Sequence, residues 1–449
     1  MSHIGSAIRA ADNSIGWISS VVPAVGAVTI RINEVAITVD AAFPRDVISV
    51  VGPDVDTLSA AGGVFRDVAA IDALTAAADG DSLTGPELSD EFVRIAVLSA
   101  VRQCHLGDLD GIALLLDRAY AASLAGDDDA AATFYRLSSI GAELIADDLV
   151  RGGVAGAVVD AFGLYMRSAP ADSIPSDIRS AIDQSLQELE GQSDNLWTYT
   201  FDESVAVADV AMGHFDSSLT SAITVDVLND LNAVPPRLLI FNGPGLPDVF
   251  ATPAEPGLAE VSAQLRDNVD ETSSEVAELF AVAADSTSGN LVGFAPCQVS
   301  GRTVAARIPL QGREFTGLHF AIVGAGFNPV ELHLDDLGVG VSKADRYCRY
   351  AWTLHRVAGA ALSGSGIGTS GAQIDQNRTH IAETLTSARA SAQSALDAVR
   401  GLCDDYEDSR ELQAYADAVR RLRDLIDSDP VFHGPTRPGF AELYALVSE

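Results

Sequence analysis

The chain of 449 residues has little cysteine and almost no lysine, and each shortage excludes a class of protein. Its 4 cysteines, Cys104, Cys297, Cys348 and Cys403, stand far apart without CxxC or Cys/His spacing. That leaves no zinc motif, and so few thiols could not staple so long a chain. They read as buried free thiols of a reducing compartment. Lys343 is the only lysine, and 28 Lys and Arg against 63 Asp and Glu give a net charge of −35. A field of that sign repels phosphate backbones and anionic headgroups, so neither nucleic acid nor a membrane surface is expected as a partner. No GKS or GKT occurs, which removes P-loop chemistry. No apolar run approaches the ~18 residues of a membrane span; the best stretch, 152–166, carries Asp160. Asp12 and Asn13 interrupt the N-terminal run after Arg9, so no cleaved signal peptide is expected.

What is present is globular: 47% apolar and 20% charged residues over a length that predicts two or three domains. The segment VTIRINEVAITV alternates apolar and polar residues about a turn at Asn33-Glu34, and a β-branched run, 47–51, follows. These predict strands in a small N-terminal element over 1–80. From Thr84 the period changes to that of helices. Thr84 and Glu87 have capping-box spacing, and helices are predicted at 86–105, 109–124, 128–150, 152–168 and 176–191, a bundle within 84–192.

The turn Gly126-Asp127, with Ala119, Ala131 and Tyr135, resembles a tetratricopeptide helix-turn-helix. That likeness covers one unit, whereas an array needs about three to bury its faces, so the region reads as a plain bundle.

A central β-rich α+β domain is predicted over 193–362. It begins with strands at 196–201 and 237–241 and an amphipathic helix at 257–285. An antiparallel β meander follows at 290–298, 303–310, 315–323 and 330–341, and a helix closes it at 344–362. The run 363–372 is a Gly/Ser linker. Ile374, Ile381, Ala388, Ala395 and Leu402 recur every seven residues, and Leu385, Ala392 and Val399 fill the intermediate seam. Leu412, Tyr415, Val419, Leu422 and Ile426 continue the 3-4 spacing. An antiparallel helical hairpin over 373–428, before a tail at 429–449, is therefore predicted. The fold class is α+β.

Two glycine motifs fail as dinucleotide fingerprints. AIVGAGFNP, at 321–329, has Pro329 where the third glycine belongs and a period of two beyond it, so no helix N-terminus receives a pyrophosphate. Gly366-Ile367-Gly368-Thr369-Ser370-Gly371 satisfies GxGxxG but follows a helix instead of a strand. Neither HExxH nor GxSxG is present, and no cofactor is predicted.

One set could hold a divalent metal. On a strand, Glu331, His333 and Asp335 project from one face about 7 Å apart, supplying two carboxylates and an imidazole. The same alternation also arises on any solvated strand. The sequence therefore points to a non-enzymatic assembly or interaction protein that meets a protein partner, or itself, through helical surfaces. Leu385, Ala392, Val399, Leu412 and Val419 are its contact candidates. The alternatives are a metal-dependent enzyme or binding module centred on the meander, and a leaderless exported substrate of a high-GC bacterium. The compartment expected is the cytoplasm, or the exterior reached without a cleaved signal. The acidic, lysine-poor surface suits a salt-adapted or high-GC source.

Overall fold

The computed structural model describes residues 4–10, 13–152, 156–193, 227–228, 234, 238–241, 249–267, 269–324, 334–364, 371–428 and 430–447. Among the described residues the protein is α+β, 52% helical and 23% strand. It divides into two compact units. One comprises Met1–Ala208, Ala351–Arg389 and Arg420–Glu449, the other Asp209–Tyr350 and Ala390–Val419.

The first unit opens with strands β1 (Ile4–Arg9), β2 (Ile15–Ser19), β3 (Ala27–Ile32), β4 (Val35–Asp40) and β5 (Val47–Gly52), helices α1 (Val55–Ala60) and α2 (Val68–Ala76), and strand β6 (Ser82–Thr84). The sheet order is β3-β4-β5-β2-β1-β6, and every pairing is antiparallel. The β3–β4 hairpin follows the alternating pattern. Its two loop residues, Asn33 and Glu34, have φ of 46° and 68°, the left-handed pair that matches the twist of flanking strands. The core side chain Trp17 is 1% exposed. Gly5 and Gly85 make room for it, since a Cβ on either would lie within 2.6 Å of the indole.

Helices α3 (Asp90–Cys104), α4 (Gly111–Leu124), α5 (Asp128–Gly152), α6 (Ala157–Ser168) and α7 (Ser176–Ser193) form the bundle. They match the predicted helices, except that α3 starts four residues and α6 five residues later than expected. Thr84 pairs with Ile4 in the sheet, and Glu87 receives the Arg66 N–H at 2.8 Å, so the supposed capping box is extended chain. Asp110 caps α4 by accepting from Ile112 N and Ala113 N. Gly126 ends that helix at φ +72°, the conformation glycine adopts most readily.

The second unit holds β7 (Val227–Leu228), β8 (Val249–Glu255), β9 (Leu258–Gln264), a single-turn α8 (Ser274–Ala277), β10 (Leu279–Asp285), β11 (Leu291–Pro296), β12 (Gln298–Ser300), β13 (Thr303–Pro309) and β14 (Leu318–Gly324). They form two four-stranded sheets, β11-β10-β14-β7 and β12-β13-β9-β8. One core, including Val261, Ala263, Ile308, Leu279, Phe320 and Ile322, joins them face to face. The other face of β10 and β14 packs Val282, Ala321 and Val323 against Leu334 and Val339.

Two expectations fail in this unit. The helix predicted at 257–285 is strand at both ends. Along β9 every second side chain is buried (Ala259, Val261, Ala263), and Gly257 at φ +82° turns the hairpin from β8. Alanine and glutamate gave that stretch a helical composition, yet pairing in the sheet overrode propensity. The last predicted strand, 330–341, is helix from Asp336 onward: α9 (Asp336–Gly364) is started by Asp335, whose carboxylate accepts from Gly338 N at 2.8 Å. The predicted strand at 196–201, the Gly/Ser run at 365–370 and residues 325–333 of the AIVGAGFNP segment and its outgoing strand lie outside the described residues. Of the strand predicted at 237–241, Leu239 makes one bridge to Leu265.

After α9 come α10 (Gly371–Asp405), α11 (Arg410–Asp427) and a short α12 (Phe440–Tyr444). The helices before and after the 406–409 break are those the heptads predict. Arg389 on α10 meets Asp427 on α11 at 3.5 Å. Helix α9 also packs on this pair: Gly340 lies against Leu402, and Cys348 Sγ is 4.0 Å from Tyr415 Oη. No helix among the described residues is long and apolar enough to cross a membrane.

Candidate docking surface

Helix α5 carries two apolar stripes. The inner one, Ala131, Tyr135, Ser138, Ala142, Ile145 and Leu149, follows the 3-4 spacing and is buried. It packs between α4 and α7. The close approach to α4 is made at Gly141, where a Cβ would fall 2.6 Å from Ile112. The outer stripe has the same spacing, at Thr133, Leu137, Ile140 and Leu144. There Leu137 is 65% exposed, Ile140 68% and Leu144 58%. Three exposed large aliphatics aligned on one helix form a contiguous apolar row in water.

The polar neighbours of the outer stripe are of both signs. Arg136 is exposed and Glu143 half-buried beside the three aliphatics. Asp128 and Asp129 lie in the first turn, and Arg151 near the last turn pairs with Asp147 and Asp148 at 3.7 and 3.3 Å.

Behind this helix the bundle is pinned by buried charge. Asp117 on α4 is 1% exposed and accepts from Tyr165 Oη at 2.7 Å, Phe440 N at 2.9 Å and Ala441 N at 3.2 Å, so one carboxylate caps α12. Burial pushes its carboxyl up to about 6, outweighing the hydrogen bond from Tyr165 and the charge of Arg94. Tyr135 Oη donates to Tyr165 O at 2.8 Å, linking α5 to α6. Glu442 of α12 accepts a two-pronged hydrogen bond from Arg356, at 2.8 and 2.6 Å. Burial raises this carboxyl, but Arg356 more than offsets that and holds it below the ordinary range. These groups are buried and satisfy one another or the backbone, an arrangement that fixes helices in place.

The residues selected from sequence fall elsewhere. Glu331 and His333 lie outside the described residues, and Asp335 is engaged as the cap of α9. No group of three metal-binding side chains occurs among the described residues. His319 is buried beside this cap, its Nδ1 2.9 Å from Leu334 O and its Nε2 3.5 Å from Asp336. Of the helical contact candidates, Ala392, Val399, Leu412 and Val419 are buried within the chain, and Leu385 is half-buried. The cysteines Cys104, Cys297 and Cys348 are buried and form no disulfide, and burial raises the Cys297 thiol to about 12. An open groove of 370 Å³ at the β8–β9 turn is lined by Pro253, Glu255, Leu310, Arg313 and Phe315; Arg313 there pairs with Asp285 at 3.3 Å.

Sequence reasoning missed Leu137, Ile140 and Leu144. The signal was available: the predicted 128–150 helix carries apolar residues on opposite sides, more than one buried face requires. No protein-family model, no curated protein and no solved structure matches this chain.

Proposed function

We propose that the protein is a non-enzymatic assembly or interaction protein whose contact face is the outer stripe of α5. The observation that carries this reading is the row Leu137, Ile140 and Leu144, left in water on a helix whose opposite face is locked into the bundle. Covering three side chains that are already partly shielded would contribute about 3–6 kcal/mol. Association costs at least about 4 kcal/mol, so the stripe alone gives a reversible contact that flanking charges must reinforce.

The test is the double variant Leu137→Glu/Leu144→Glu in the full chain, compared with the parent by affinity capture and native mass. Loss of captured protein and of any self-association, with an unchanged circular dichroism spectrum and unfolding midpoint, is expected. A variant that retains every contact of the parent, or a parent that is strictly monomeric and captures nothing, overturns the reading.

A further inference from the structure

We infer that the outer stripe of α5 is met by α5 of a second copy, crossing antiparallel about a two-fold axis midway between Leu137 and Ile140. This rests on the reading of the stripe as a contact face and names its occupant. In heptad terms Leu137, Leu144 and Arg151 take position a, Thr133, Ile140 and Asp147 take d, and Arg136 and Glu143 take g on the flank. In an antiparallel pair the a positions of one helix meet d positions of the other, and the g flanks face each other. Placing Leu137 on Ile140 of the second copy then also places Ile140 on its Leu137, as a two-fold contact requires. The same register brings Arg136 beside Glu143 of the other copy, twice. It brings Arg151 at one end of the helix toward Asp129, at g, near the other end, again twice.

The alternatives fit the charges less well. A parallel pair would stack Asp147 on Asp147 and Arg151 on Arg151 along the seam and set Glu143 against Asp148 of the other helix, like charges facing one another. A uniformly basic foreign helix would answer Glu143, Asp147 and Asp148 but meet Arg136 and Arg151 with its own sign. Only a partner whose charges reverse along its length matches both halves of the stripe, and α5 run backwards is such a partner. Antiparallel packing also opposes the two helix dipoles favourably.

Sedimentation equilibrium of the full chain at about 0.15 M salt, where a Debye length of about 8 Å screens the two acidic bodies from each other, reads the association directly. The parent is expected to dimerise. Arg136→Glu and Glu143→Arg should each weaken the dimer by about tenfold, because each turns two attractive pairs into repulsive ones. The double variant Arg136→Glu/Glu143→Arg restores both pairs with signs exchanged and should return to within about threefold of the parent. Circular dichroism of these surface variants should stay unchanged. A dimer indifferent to both single changes, or one not restored by the double change, overturns the inference. A monomeric parent whose stripe still captures another protein overturns the second copy alone, leaving the contact face in place. A monomeric parent that captures nothing overturns both.

Discussion

The seam of α10 and the outer stripe of α5 are built from the same arithmetic, apolar residues spaced three and four apart, and they end on opposite sides of the surface. Ala388, Ala392, Ala395 and Val399 are fully buried, whereas Leu137, Ile140 and Leu144 are more than half exposed. Side-chain size accompanies the difference. The side chains of the α10 seam are mostly small, and the close approach of α9 to α10 is made where Gly340 lies against Leu402. The α5 stripe is made of larger aliphatics that project from an already complete bundle. A 3-4 pattern therefore states that a face is apolar, and only the arrangement of neighbouring elements states whether the chain itself covers it.

That contrast can be broken by mutation. The largest effect belongs to Val399→Asp, which puts an unpaired charge into the α10 seam and should cost about 3–5 kcal/mol in urea or thermal unfolding. A loss below about 1 kcal/mol would mean that the seam is as open as the α5 stripe.

Next comes the charge behind α5. The Asp117 carboxyl moves from 3.8 to about 6 on folding, worth about 3 kcal/mol. The folded state then holds a proton that the unfolded state has released, so this contribution is full below about pH 4 and is lost as pH rises through about 6. Buried Asp40, also raised to about 6, acts in the same direction. His355, which burial lowers to about 4, acts oppositely and adds stability as pH rises over that window. The readout is therefore the difference in pH slope between the parent and Asp117→Asn: the variant should fall less steeply, or rise more steeply, from pH 4 to 6. Equal slopes would show that Asp117 keeps an ordinary affinity for its proton.

Leu385→Ala, at the half-buried position of the seam, should cost about 1–2 kcal/mol, between the buried and exposed cases. Smallest in stability is Leu137→Glu, which should change folding by less than about 0.5 kcal/mol while altering association. A large folding loss there would place Leu137 in an internal contact and remove the contrast.

Much of the fold was legible because it is local. The Asn33-Glu34 hairpin, the helices 111–124, 128–152 and 176–193, and the two heptad helices follow from patterns within a few residues of one another. The errors came where distant pairing decided. β9 became a strand because β8 and β13 flank it, and Thr84 was taken into the sheet by Ile4. The start of α9 was hidden because 330–335 alternates like a strand, although Asp335 is a good cap.

Of the proposed site, the sequence led to an expectation of helical contact surfaces on 373–428, and the place proposed on α5 was not legible in it. The stripe on α5 needed only its other side to be known, and that depends on which helices pack there. The pin formed by Asp117 with Phe440 joins residues 323 apart, a pairing that no local pattern announces.

The most direct test is sedimentation velocity of the parent and of Ile140→Glu across a concentration series, with thermal unfolding measured on the same samples. The parent is expected to shift to a larger species with concentration, Ile140→Glu is expected not to, and the unfolding of the dilute, monomeric proteins is expected to coincide. Identical sedimentation of the two proteins at every concentration would contradict the α5 contact.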